Sequence, residues 1–299
     1  MILPNLQNNI ILDLLDLSTS RNDLLRIQRT LAPFDNNNYH LFEFYTDGSL
    51  IDLNAEQCSI SCAFAQISDL FEIPHVEFYS TIDKWPSAYR GELLVIILAL
   101  SVVLPNSRII IKTDSLNVIT QYEKIKKSHF TQTSREYFKT NDNFLWAILC
   151  RIILSLNLHV KMFKVAAHSS DEDNNYIDSL AKNTHLDQNR YIIFRRDTVN
   201  MKILSCWNGI LIENRLHSFI KTISNYKGLE KFINLNRNSK YHQLEVDWMS
   251  TFQCLNCDIV NNETSVSSSK IKAQKVHLLI EEIPTIEKMK KSFFDMYDE

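Results

Sequence analysis

The apolar and polar positions fall into successive patterns along the chain. Residues 1–37 are mostly polar, with one amphipathic stretch over 24–31. Residues 40–46 are rich in aromatics and read as a strand. Residues 58–67 and 76–82 alternate apolar and polar side chains, the two-residue period of a strand with one face in a core. Three strands joined by short connections imply an antiparallel meander. Residues 86–103 read as a helix with Pro86 in its first turn, and 93–104 are apolar on all sides, which predicts that this helix is largely buried. The β-branched run at 108–113 predicts a fourth strand, with Ser115 as the cap of a helix that follows. Residues 123–142 are polar and lack a clear period. Helical spacing resumes over 144–156, alternation over 158–165, and a last helix is expected over 174–183. The order strand, strand, strand, helix, strand, helix, helix, strand, helix implies an α/β fold, a mixed five-stranded sheet flanked by helices.

The pattern changes again beyond residue 187. Residues 203–223 and 241–255 carry apolar side chains at helical spacing, and 256–269 is an Asn/Ser-rich loop or linker. Residues 275–294 give mixed strand and helix signals. The expected organisation is an N-terminal extension (1–37), a sheet-bearing domain (38–186) and a mostly helical C-terminal region (187–299). Trp207 and Trp248 read as helix core rather than as platforms for bases. Cys254 and Cys257 lack a second cysteine pair, and His242 and His277 are not at finger spacing, so no zinc site is expected there.

Composition narrows the function classes. Of 299 residues, 45% are hydrophobic and 22% charged, an ordinary globular balance. No apolar run reaches the ~18–20 residues needed to span a bilayer. No basic segment precedes an apolar one at the N-terminus, so a secreted protein is not expected. The six cysteines are scattered and suit a reducing compartment, cytoplasmic or nuclear. The net charge of −3 gives no support to polyanion binding, which then depends on local features. Glycine is scarce: four residues, where an average chain would have about twenty. Two of them, Gly48 and Gly91, sit directly beside acidic residues.

Those acids are the candidate chemistry. Asp47 ends the first strand and Asp114 the fourth. If the two strands are parallel neighbours, both carboxylates emerge at one edge of the sheet. Glu92 lies in the apolar helix, and Asp178 in the last helix near Ile177 and Leu180. Singly, each has an ordinary reading as a turn, a cap or a solvated helix face. Brought together, four carboxylates repel, which raises their pKa values or demands a cation. A hard divalent ion with oxygen ligands meets that demand, and Mg²⁺ is the usual choice.

The blocks around these acids resemble a known family. Tyr45-Thr46-Asp47-Gly48-Ser49, then Ser87-Ala88-Tyr89-Arg90-Gly91-Glu92-Leu93-Leu94, Lys112-Thr113-Asp114-Ser115 and Lys164-Val165-Ala166-Ala167-His168-Ser169, followed by Asn174 and Asp178, are similar in type and order to those of type 1 ribonuclease H. Phe144-Leu145-Trp146 matches a further recurring feature. The resemblance covers about residues 38–186 and points to domains of the sort attached to retroelement reverse transcriptases.

The resemblance implies a two-metal nuclease. Two Mg²⁺ ions, with Mn²⁺ as a substitute, would sit among Asp47, Glu92, Asp114 and Asp178, with Asp47 bridging both. One ion would help to generate hydroxide and the other would stabilise the leaving oxygen. His168, in a loop near the site, would assist proton transfer or product release. Asn174 is read as the cap of the last helix. The implied substrate is an RNA–DNA hybrid, cut in its RNA strand, and a reverse transcriptase partner would be another chain. Lys124, Lys126, Lys127, Arg135 and Lys139 outnumber Glu123, Glu136 and Asp142 within 123–142, as a substrate contact or as a solvated surface. Two alternatives to the enzyme are a binding module that has lost catalysis and a retroelement remnant with a scaffold role.

Overall fold

A computed structural model describes residues 9–33, 41–53, 57–67, 74–82, 85–166, 171–187, 189–198 and 204–236, with a few positions beyond. The chain divides into two compact units, Met1–Phe219 and Ile220–Glu299.

The first unit is built on a mixed sheet. Its strands are β1 (Leu41–Ile51), β2 (Ser59–Gln66), β3 (Val76–Ile82), β4 (Arg108–Thr113), β5 (His159–Lys164) and β6 (Tyr191–Ile192), in the spatial order β5-β4-β1-β2-β3-β6. β1, β2 and β3 form the expected antiparallel meander. β4 lies parallel to β1, and β5 parallel to β4. Six strands stand where five were expected. The sixth pairs with β3 through two residues only, too few for alternation to show.

Helices α1 (Ile10–Leu14), α2 (Thr19–Leu31), α3 (Ala88–Ser101), α4 (Leu116–Lys127), α5 (Ser134–Tyr137), α6 (Asn143–Ser155) and α7 (Glu172–Thr184) surround the sheet. Side chains of Ser18, Ser87 and Asp171 cap α2, α3 and α7 by accepting a hydrogen bond from the third backbone N–H beyond them. The last of these corrects one expectation: Asp171 is the cap of α7, and Asn174 is a buried residue inside the first turn. Asp is as good a cap as Asn, and the helix begins two residues earlier than its apolar spacing shows.

One face of the sheet holds the main core. Phe42, Phe44, Phe64 and Phe78 are buried there, with Phe44 edge-on to Phe64 and Phe64 stacked on Phe78. α3 and α6 close this side, and Trp146 of α6 donates its indole N–H to Tyr89 of α3 at 3.1 Å. The other face is covered by α7, where Ile177 and Ala181 pack on Tyr45, Ala63 and Ala65.

The flanks belong to the same unit. Ile11, Leu14, Leu15, Leu24, Ile27 and Leu31 are buried in the main core, so α1 and α2 complete the fold rather than lead into it. After β6, residues 203–223 are not the single helix that their spacing suggests. A hairpin of β7 (Cys206–Trp207) and β8 (Ile210–Leu211) comes first, and α8 (Leu216–Ile233) follows. The hairpin turns at Asn208-Gly209, both at positive φ (48° and 76°), the conformation for which Asn-Gly is the preferred pair. Trp207 is therefore a strand residue, 39% exposed and edge-on to Phe219, not helix core. In the second unit, the part of α8 from Ile220 onward buries no side chain. Trp248, Cys254, Cys257, the 256–269 loop and almost all of 275–294 lie outside the described residues.

Candidate active site

β1 does not stop before Asp47. It continues to Ile51 along β2, while its ladder with β4 ends at Tyr45 opposite Lys112. Asp47 therefore projects where β1 and β4 part, and Asp114 follows the last residue of β4 from the neighbouring strand. The parallel arrangement does bring both carboxylates to one edge.

Glu92 arrives from the other side, and the two glycines are the reason. A Cβ on Gly48 would lie 2.4 Å from the Glu92 backbone nitrogen and 2.5 Å from the Gly91 carbonyl carbon. A Cβ on Gly91 would lie 3.2 Å from the Gly48 Cα. The helix backbone thus rests on the strand backbone with no room for a side chain at Gly48. At that distance Glu92 Oε1 accepts the Gly48 N–H at 3.2 Å, and Oε2 accepts the Thr113 hydroxyl at 3.3 Å. Thr113 is a residue that the sequence reading did not single out. Its only signal was its place beside Asp114.

Asp47, Glu92 and Asp114 each offer a carboxylate oxygen, and these atoms lie within 4.8 Å of one another. Burial, then Asp114 and Asp178, push the Asp47 carboxyl up to about 7. Burial, then Asp47 and Asp114, hold Glu92 well above the usual range. Burial and neighbouring carboxylates both disfavour the charged form here, which favours taking up a proton or a cation. Among the described residues the donors that meet are oxygen only. That set fits a hard divalent ion such as Mg²⁺ and gives a softer metal no preferred ligand.

Asp178 stands apart from the three. It lies on α7, close enough for its charge to raise Asp47, yet its Oδ2 accepts a hydrogen bond from Lys182 Nζ at 2.7 Å. The i,i+4 spacing of this pair was visible in the sequence. His168 lies outside the described residues. α7 is fixed at its end by His185, whose Nδ1 is 2.9 Å from the Ser59 hydroxyl and whose Nε2 is 3.0 Å from those of Ser49 and Ser61. Ser61 gives its proton to the Ala181 carbonyl at 2.6 Å, so toward His185 it accepts. This puts the imidazole proton on Nε2 and leaves Nδ1 to accept from Ser59.

Below the site, Arg90 is buried in α3. Its Nη1 donates to Glu213 Oε2 at 2.6 Å and to Asp142 Oδ1 at 3.0 Å, and its Nη2 to Glu213 Oε1 at 3.2 Å. Asp142 is thus spent on a buried pair and drops out of the 123–142 surface, whereas Glu136, which caps α5 through Thr133, stays exposed there. No helix among the described residues is long and apolar enough to cross a membrane.

Among solved structures, the chain is similar to the foamy viral protease-reverse transcriptase in complex with dsDNA, at 18% identity and a TM-score of 0.39, over 48% of this chain and 93% of that one. It is similar to LC9-RNase H1, a type 1 RNase H with the type 2 active-site motif, at 14% identity and 0.40, over 69% and 86%. The PFV RNase H domain gives 16% identity and 0.37, over 48% and 94%. No curated protein sequence matches the chain. The sequence model of the RNase H family matches residues 40–185. That span opens one residue before β1 and closes one residue after α7, so it takes in every element that carries one of the four acids, and these residues form an RNase H-family domain within the chain.

Proposed function

We propose that this protein is a metal-dependent endoribonuclease that cuts the RNA strand of RNA–DNA hybrids. The observation that carries the reading is the meeting of Asp47, Glu92 and Asp114 at the parting of β1 and β4. Asp47, Glu92 and Asp114 would hold divalent metal, with Asp178 completing the set for two ions. Bound Mg²⁺ would supply a nucleophile at neutral pH and charge stabilisation at the reacting phosphate. The chain's own groups do the positioning. The Gly48 N–H and the Thr113 hydroxyl fix both oxygens of Glu92, and β1 holds Asp47 between Glu92 and α7. His168, which lies between β5 and α7 in sequence, would assist proton transfer or product release. Ribose 2′-hydroxyls would distinguish the RNA strand, and phosphate contacts would add sequence-independent affinity. A reverse transcriptase on another chain is the partner this reading implies.

The test is cleavage of an end-labelled hybrid under Mg²⁺ and Mn²⁺ titration. Wild type is expected to cut it, and Asp47→Asn to abolish the cut while keeping the fold by circular dichroism. Wild type that cuts under neither metal overturns the enzyme reading.

A second reading, binding without turnover, has one observation in its favour: Asp178 is engaged by Lys182. The two readings part at Lys182→Ala. On the enzyme reading the freed carboxylate joins the site, and the Mg²⁺ concentration for half-maximal cleavage falls severalfold. On the binding reading the variant binds hybrid and still does not cut it.

A further inference from the structure

α7 covers its side of the sheet over β1, β2 and β3. On that same side, strand alternation turns out Arg108, Ile110 and Lys112 from β4 and His159, Lys161 and Phe163 from β5. The register sets them in rows. His159 stands beside Arg108 and Leu41, Lys161 beside Ile110 and Glu43, and Phe163 beside Lys112 and Tyr45. The face is open to solvent: Phe163 is 50% exposed and Leu41 44%, and Arg108, His159 and Lys161 are exposed as well. The next residues on this side are Asp47 along β1 and Asp114 just past β4.

We infer that this open face is a track for single-stranded nucleic acid continuous with the strand held at the carboxylates. Charge complementarity favours it. Arg108, Lys112 and Lys161 stand together on this face, where Glu43 pairs with Lys112, in a chain whose net charge is −3. The aromatic favours an unpaired strand over a duplex. A half-exposed phenyl ring on a flat sheet offers a stacking platform, and only unpaired bases have a free face to lay on it. The length fits too. Arg108 to Asp114 spans about 20 Å at roughly 3.3 Å per residue, room for about four nucleotides at the low end of single-strand site sizes. A basic, partly apolar surface running into an acidic edge gives the strand a direction: it is held along β4 and β5 and reaches the reacting centre at one end.

The inference rests on the nuclease reading for the place of the cut, and the two fail differently. Binding is measured with the full chain by fluorescence anisotropy, with Ca²⁺ in place of Mg²⁺ to suppress turnover. The probes are a blunt hybrid and the same hybrid with a tail of about eight nucleotides on each end in turn. For wild type, one tail is expected to tighten binding about fivefold or more. Phe163→Ala and Lys161→Glu each remove most of that gain and leave blunt-hybrid binding and Mg²⁺-dependent cleavage unchanged. In Lys161→Glu the salt dependence of tailed binding also falls by about one ion. Equal affinity of wild type for blunt and tailed probes overturns the inference. So does an equal loss on both probes in the variants, or a dimer in sedimentation that Phe163→Ala dissociates, which would give the face to a second copy. Failure of wild type to cut blunt hybrid in Mg²⁺ sinks the nuclease reading alone, because the tail effect is read without cleavage.

Discussion

At the scale of single residues, Gly48 is the position with least freedom. A methyl group there would sit 2.4 Å from a backbone nitrogen, not from the far end of a side chain that could swing away. Relief requires α3 to lift from β1, and Glu92 lifts with it. Gly48→Ala is therefore expected to cost about 3 kcal/mol or more, the upper range of overpacking, read as a lower urea midpoint. Its Mg²⁺-dependent cleavage should fall further than the stability loss explains, because the carboxylate that moves belongs to the cluster. A variant that melts and cuts like wild type would refute the close contact. Gly91 lies inside a helix, where glycine costs about 1 kcal/mol against alanine. Its contact with Gly48 Cα and the Ser61 carbonyl is the compensation that explains it.

At the scale of elements, α7 is tied to the sheet by one side chain at its C-terminal end. Burial lowers the pKa of His185 below its usual 6.5 and keeps the imidazole neutral among three serine hydroxyls. The unfolded chain takes up a proton as pH falls through 6.5, while the folded chain resists until its own lower value. The stability that the neutral ring contributes is thus complete above 6.5 and drains away below it. The difference in melting temperature between wild type and His185→Gln should narrow as the pH is lowered from 6.5. A constant difference would place the stabilisation elsewhere than in the neutral ring.

Most elements were legible where a period had room to repeat. β3 alternates over seven residues, β2 begins in alternation before it becomes buried on both faces, and α3 shows an unbroken apolar run. The site was legible as four acids on separate elements, and three of them meet. What escaped was short or non-local. β6, β7 and β8 have two residues each, and α1 has five. The length of β1 was missed because Asp47-Gly48-Ser49 looks like a turn, whereas continued pairing with Ala63, Cys62 and Ser61 keeps it extended. The engagement of Asp178 by Lys182 was visible as a spacing. Its weight depends on the distance from Asp47, which no spacing gives.

At the scale of the whole molecule, the first unit is closed by a buried charge group. Arg90, Asp142 and Glu213 are each less than a tenth exposed, and they join α3, the start of α6 and the segment after β8. The Glu213 carbonyl also accepts the Asn143 N–H at 3.0 Å. Removing one partner of such a group leaves a buried charge short of compensation, at a cost of about 3–5 kcal/mol. Glu213→Ala is expected to lose about that much in chemical denaturation of the full chain, and to weaken cleavage because Arg90 and Glu92 share one helix turn. A loss below about 1 kcal/mol, the size of an exposed pair, would mean that water reaches the guanidinium.

The same charge group separates two boundaries that usually coincide. The stretch matched by the family closes at residue 185, but the carboxylate that neutralises Arg90 of its helix α3 lies at 213, beyond the strand that finishes the sheet. The inherited unit is therefore shorter than the unit that can stand alone. Residues 40–185 moved onto another scaffold would take a buried cation with them and leave its bidentate counterion behind. As a portable cassette, this domain begins before its first family strand and ends after its hairpin.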